Sequence, residues 1–133
     1  MSFFRWTEEH SVGLPKMDEH HQQIFSIANR LYEFESAKTA YSSIKTILNE
    51  LVTCTESHFT QEERLMEQAN YSGLAGQRIA HKAFMNNLYE YQHKVEENPD
   101  TAIFVAAEAA MVTTDWLKNH IMKVDKQYKG VLH

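Results

Sequence analysis

The stretch 39–67, TAYSSIKTILNELVTCTESHFTQEERLME, decides the architecture. Ile44, Leu48, Leu51, Thr55, His58, Glu62 and Leu65 follow one another at alternating spacings of four and three. An α-helix brings residues three and four apart onto one side, so the stretch predicts a single long helix with one face turned to partners. That face is not wholly apolar. Its last turns carry an imidazole and a carboxylate one turn apart, where leucine would pack better. Burying an ionised carboxylate is costly unless it is paired or bound to a metal.

The same periodicity extends in both directions. A first helix is predicted to start near Asp18, a good N-cap type, with His21, Ile24, Phe25, Ala28 and Leu31 in line. Residues 70–76 hold two glycines and read as a loop. A third helix over 77–97 carries Gln77, His81, Phe84, Leu88, Tyr91 and Val95 on one face. Asn98-Pro99-Asp100 breaks the chain. A fourth helix over 101–120 aligns Ala106, Ala109, Thr113, Trp116 and His120, and a short helix over 122–130 carries Asp125. Residues 1–17 lack helical periodicity and hold Gly13 and Pro15; Trp6, Val12 and Leu14 could pin this arm to a core. The expectation is an all-α, up-down-up-down four-helix bundle with an irregular N-terminal arm and a short C-terminal helix, forming a single domain over 1–133.

Composition agrees. With 43% apolar residues, 133 residues can bury a core without disulfides or a structural metal, and the scarcity of Gly (4) and Pro (2) favours long helices. The formal charge of −5 argues against a nucleic-acid partner, because phosphate binding needs clustered Lys and Arg. The lone cysteine, Cys54, cannot form an internal disulfide. Charge follows the N-terminus too closely for a signal peptide, and no apolar run approaches the about 20 residues that span a bilayer. A cytoplasmic chain with no membrane partner is expected; nothing signals an oligomeric state.

Every inner face contains a polar residue in an apolar place: His21 in the first helix, His58 and Glu62 in the second, Gln77 and His81 in the third, His120 and Asp125 at the end. A lone buried histidine is ordinarily a hydrogen-bonded core residue, and a single His-x-x-x-Glu pair is ordinarily a surface pair. Four histidines and two carboxylates converging from four helices make a poor core, and metal binding explains them together. Imidazole nitrogen with carboxylate oxygen suits iron, zinc or manganese, and so many ligand atoms exceed one tetrahedral zinc site. Two ions bridged by Glu62 and Asp125 use every ligand. The five-residue step from His120 to Asp125 predicts a bend or a loosened turn between them. His20 lies about 100° around its helix from His21, so only one of the two can face the core. His10, His93 and His133 are expected to be solvated.

These residues resemble a family, the bacterial hemerythrins. The likeness covers nearly the whole chain: Trp6 and Val12-Gly13, then Asp18-Glu19-His20-His21-Gln22-Gln23-Ile24-Phe25, His58-Phe59-Thr60-Gln61-Glu62-Glu63 with Met66, His81-Lys82-Ala83-Phe84, and Trp116-Leu117-Lys118-Asn119-His120-Ile121 with Asp125-Lys126 and Tyr128. The resemblance implies two non-haem iron ions. His21 and His58 would bind the one with an open position for O2, and His81 and His120 the other. Glu62, Asp125 and a solvent-derived oxygen would bridge the pair. It also implies a dry O2 pocket lined by Ile24, Phe59, Trp116, Ile121 and Val124. For Phe59 and Trp116, plain core packing accounts for the residue equally well.

The likeness fails at one position. The family pattern in the third helix is His-x-x-x-His, and here the first place is Gln77, in Gln77-Arg78-Ile79-Ala80-His81. An amide oxygen is a weaker donor to iron than imidazole nitrogen. Gln77 can ligate directly, hold a ligating water, leave that iron loosely bound, or open the centre to peroxide, O2 or NO. The resemblance therefore implies a protein that binds O2 reversibly for storage, delivery or sensing, and not an enzyme. The alternative is a di-iron redox enzyme acting on peroxide, O2 or NO. Ferritin-like Glu-x-x-His pairs and the His-Glu-x-x-His of zinc peptidases are both absent.

Overall fold

A computed structural model of the chain describes residues 6–12, 15–32 and 40–123. Four helices dominate: α1 Pro15–Tyr32, α2 Ala40–Gln68, α3 Leu74–Glu97 and α4 Ala102–Lys123. No strand occurs among the described residues. Successive helices pack side by side and α1 closes the ring against α4, giving the expected four-helix bundle. No helix of the described residues is long and apolar enough to cross a membrane.

Three boundaries differ from expectation, each for a local reason. The first helix begins at Pro15, not near Asp18. Proline suits the first helical position because its fixed φ is already helical and its missing N–H would be unpaired there anyway. Asp18 instead reaches back from the first turn, accepting hydrogen bonds from the Ser11 hydroxyl at 2.6 Å and the Val12 N–H at 2.8 Å. That anchors the arm, and Val12 is fully buried. The third helix begins at Leu74, so Gly76 lies inside its first turn and not in a loop. The shorter turn works because α2 ends in a two-bond cap: Tyr71 N–H donates to the Met66 carbonyl and Asn70 N–H to that of Glu67. Asn70 supplies the left-handed residue this cap needs, with φ 53°. At Gly73 nearby, a Cβ would sit 2.5 Å from the Tyr71 ring, so any side chain there would have to displace that ring. Finally, α4 runs unbroken through His120 to Lys123, so no new helix starts at Met122. The proposed helix over 122–130 beyond that point lies outside the described residues, as do Gly13, Leu14, Val124, Asp125 and His133.

The core divides in two along the bundle axis. Near the α1–α2 and α3–α4 connections, Leu31, Ile44, Leu48, Leu88, Val95 and Ala106 pack together with almost no exposure. Each large side chain there stabilises the fold by about 1.5–3 kcal/mol relative to exposure. Further along, the same helix faces carry His21, His58, Glu62, Gln77, His81 and His120, all buried.

Candidate metal centre

Glu62 sits at the centre of the polar half with no exposed surface. Three helices deliver imidazoles to it. The Nε2 atoms of His81, His58 and His21 lie 3.0, 3.5 and 3.8 Å from its carboxylate oxygens. Burial pushes the Glu62 carboxyl up, but the imidazoles of His21, His58 and His81 gathered around it outweigh burial and hold the group well below the usual carboxylate range. Glu62 is therefore a buried anion. Two sets of three donors meet here, His21–His58–Glu62 and Glu62–His81–His120, each with its ligand atoms within 4.8 Å of one another and all its residues buried. Glu62 belongs to both sets. Buried nitrogen and carboxylate oxygen donors around a shared anion fit a pair of iron ions, whose positive charge would offset a carboxylate that is otherwise costly to bury.

The predicted residues fall as follows. His21, His58, Glu62, His81 and His120 converge. Gln77 is 1% exposed, faces the same interior, and places its Oε1 2.7 Å from His120 Nε2. Asp125 and Val124 lie outside the described residues. Of the expected pocket residues, Ile24, Phe59 and Ile121 are buried and Trp116 is half-buried. Phe59 stacks flat on the His81 ring, with centroids 3.8 Å apart and planes 1° apart. Trp116 stacks on His120 at 4.4 Å and on Phe84 at 4.3 Å. These aromatic faces clamp the two histidines from α3 and α4.

Periodicity did not assign a role to two residues that touch the centre from behind. Glu63 Oε2 accepts from His81 Nδ1 at 2.8 Å, leaving the opposite ring nitrogen turned to Glu62. A carboxylate behind a ligating histidine fixes its tautomer and strengthens it as a donor. Arg78 in turn pairs with Glu63 and Glu67. His20 Nδ1 lies 3.1 Å from His58 Nδ1. Burial, then the Lys16 and His21 charges, lower the His20 pKa and favour its neutral form. The available signal was the pair of doublets, His20-His21 and Glu62-Glu63. One member of each faces inward, and its neighbour backs the histidine of the next helix. Gln77 extends the pattern, since α3 uses it to reach His120 on α4.

One expectation is corrected. His10, predicted to be solvated, is 7% exposed. It packs between Trp6 and Phe25, with ring centroids 5.3 and 6.3 Å away, and its Nδ1 lies 3.2 Å from the Thr7 N–H. The short 3-10 turn Glu8–His10 lies against α4 and brings the His10 ring to Phe25 of α1, which no helical periodicity could signal. His93 is exposed, as expected, and its Nε2 lies 3.0 Å from Glu97 Oε1.

The family model of the Hemerythrin HHE cation binding domain matches residues 12–132. The chain is 33% identical to a myohemerythrin of Sipunculus nudus, covering 96% of this chain and 92% of that one. It is 30% identical to a bacteriohemerythrin of Clostridium acetobutylicum, covering 94% and 98%. The solved structure of a wild-type hemerythrin superposes with a TM-score of 0.83 at 26% identity, covering 98% of each chain.

Proposed function

The chain belongs to the hemerythrin family, and on that premise we propose that it holds two non-haem iron ions between its helices and binds O2 reversibly there. His21 and His58 would hold one ion and His81 and His120 the other, with Glu62, and Asp125 by the family pattern, available to both. The observation that carries this reading is the sharing of one buried anion, Glu62, by two sets of histidines. A single-ion site would leave half of those imidazoles without a purpose. When bound, the iron pair supplies the reversible two-electron exchange by which O2 is taken up and given back.

The chain's own residues set the conditions. Glu62 presents its charge without first losing a proton, because it is already ionised. Glu63 and His20 hold His81 and His58 in the orientation that turns Nε2 inward. Ile24, Phe59, Trp116 and Ile121 would form the wall of a dry pocket beside the ions and keep water away from it, and Val124 is the fifth residue the resemblance assigns to that wall.

The test is the visible spectrum of iron-loaded, reduced protein, recorded before air, after air and after argon flushing. A band that appears in air and fades under argon is expected. A change in air that argon does not reverse would favour the second reading, a redox enzyme acting on peroxide, O2 or NO. The contact of Gln77 with His120, where the family pattern has a histidine ligand, is what favours that second reading. Saturable consumption of peroxide with a two-electron donor would establish it.

A further inference from the structure

We propose that the trough between α2 and α3, on the outer side of His81, is the docking site of an electron donor for the centre: a planar aromatic two-electron reductant that carries an anionic group. The proposal rests on the di-iron reading above and adds how an oxidised pair is returned to service.

The trough holds about 420 Å³, within the size range of small-molecule sites. On α3, Arg78, Lys82, Met85 and Tyr89 follow at steps of four and three, so one face of that helix forms a wall. On α2, Glu56, Phe59 and Glu63 do the same. Both ends are bridged: the Tyr89 hydroxyl donates to Glu56, and Arg78 Nε lies 3.3 Å from Glu63 Oε1. The stretch of α2 between these bridges is about 10 Å long, at 1.5 Å per residue. That length suits a body of about three fused rings.

The lining sets the chemistry of the occupant. Phe59, His81 and Met85 reach the trough while keeping almost no exposure, so they form its floor. A flat ring and a thioether favour an aromatic body. Both carboxylates are already engaged by the end bridges. Lys82 is exposed on the rim and has no ion-pair partner among the described residues, which leaves one positive charge for an anionic group.

The role follows from His81. Its Nδ1 is held by Glu63 on the trough wall at 2.8 Å, and its Nε2 turns inward to Glu62 at 3.0 Å. A body lying on the floor is therefore one imidazole ring away from the centre. A carrier that loses its oxygen as peroxide is left with both ions ferric, and two electrons must come from outside. The donor gives up two electrons, and its protons leave to solvent along the open rim. Each ferric ion takes one electron, so no further reactant is needed.

The probe is flavin mononucleotide, with riboflavin as its counterpart lacking the phosphate, on the full-length iron-loaded protein with iron measured in the same sample. Calorimetry with the oxidised forms reads binding alone, because neither can reduce iron. About one site per chain, filling below about 1 mM, is expected for the mononucleotide. Lys82→Glu should weaken it roughly tenfold and leave riboflavin unchanged. Asn86→Trp, at an exposed rim position, fills the trough and should abolish both. Anaerobic mixing of reduced mononucleotide with di-ferric protein then reads the electron step as loss of ferric absorption. Its rate should level off as the site fills, and should be slow and proportional to donor in Asn86→Trp. No binding to the wild type overturns the proposal and leaves the di-iron reading intact. Binding without a rate that levels off also overturns it, since the trough would then not be the route of the electrons. A chain that holds no iron overturns both. The wild-type titration and rate decide even if a variant does not fold.

Discussion

The two halves of the centre share Glu62 and differ in what stands behind their histidines. Behind His58 is another imidazole, His20, kept toward its neutral form by burial. Behind His81 is a carboxylate, Glu63, itself held by Arg78. The half with the anionic support is also the half in which a glutamine replaces a histidine. A carboxylate makes the imidazole it touches a stronger donor, and a neutral ring does so less. On the di-iron reading, Glu63 would offset part of what Gln77 takes away and bring the two halves closer in affinity than their ligand lists suggest.

The largest break in this comparison is the loss of what both halves share. Glu62→Ala is expected to release both ions on desalting, measured as iron per chain; one ion retained would mean the carboxylate serves one half only. Gln77→His should slow chelator-driven loss from the His81 half by roughly a hundredfold, turning two-phase release into a single slow phase. Unchanged release kinetics would show that position 77 does not set the affinity of that half. Glu63→Gln keeps the shape but removes the charge, and should weaken the same half by about 10–100-fold while the His21–His58 half titrates as before. His20→Phe acts on the opposite half and should cost less than about tenfold there, since the partner removed is neutral; a larger loss than for Glu63→Gln would reverse the ranking of the two supports. The smallest effect separates backbone from site. Gly76 lies in a helical turn with open space where a Cβ would go, so Gly76→Ala should add about 0.5–1 kcal/mol of stability by denaturant unfolding and leave both metal titrations unchanged.

Helix faces were legible in the sequence because a buried face repeats every three and four residues. That rule placed His21, His58, Glu62, Gln77, His81 and His120 inside, and all six are buried. It failed where structure is set by chemistry at a single position. Pro15 opens α1 earlier than Asp18, and Asn70 closes α2 so tightly that Gly76 joins α3. It failed again for His10, whose burial depends on an arm folding over a helix it does not belong to. Glu63 and His20 were hidden for a different reason. Each is about 100° from an inward residue, so periodicity assigns it to the outside. Only the approach of the neighbouring helix makes that outer side face an imidazole.

The pairing of an inward residue with a neighbour that braces the next helix has a consequence for protein engineering. A designer who copied the inward side chains into another bundle would transplant the grip and leave behind the braces. The graftable unit is the doublet together with the crossing of the adjacent helix: His20-His21 with α2, Glu62-Glu63 with α3. A host scaffold qualifies only if its helices rotate past one another in the same sense.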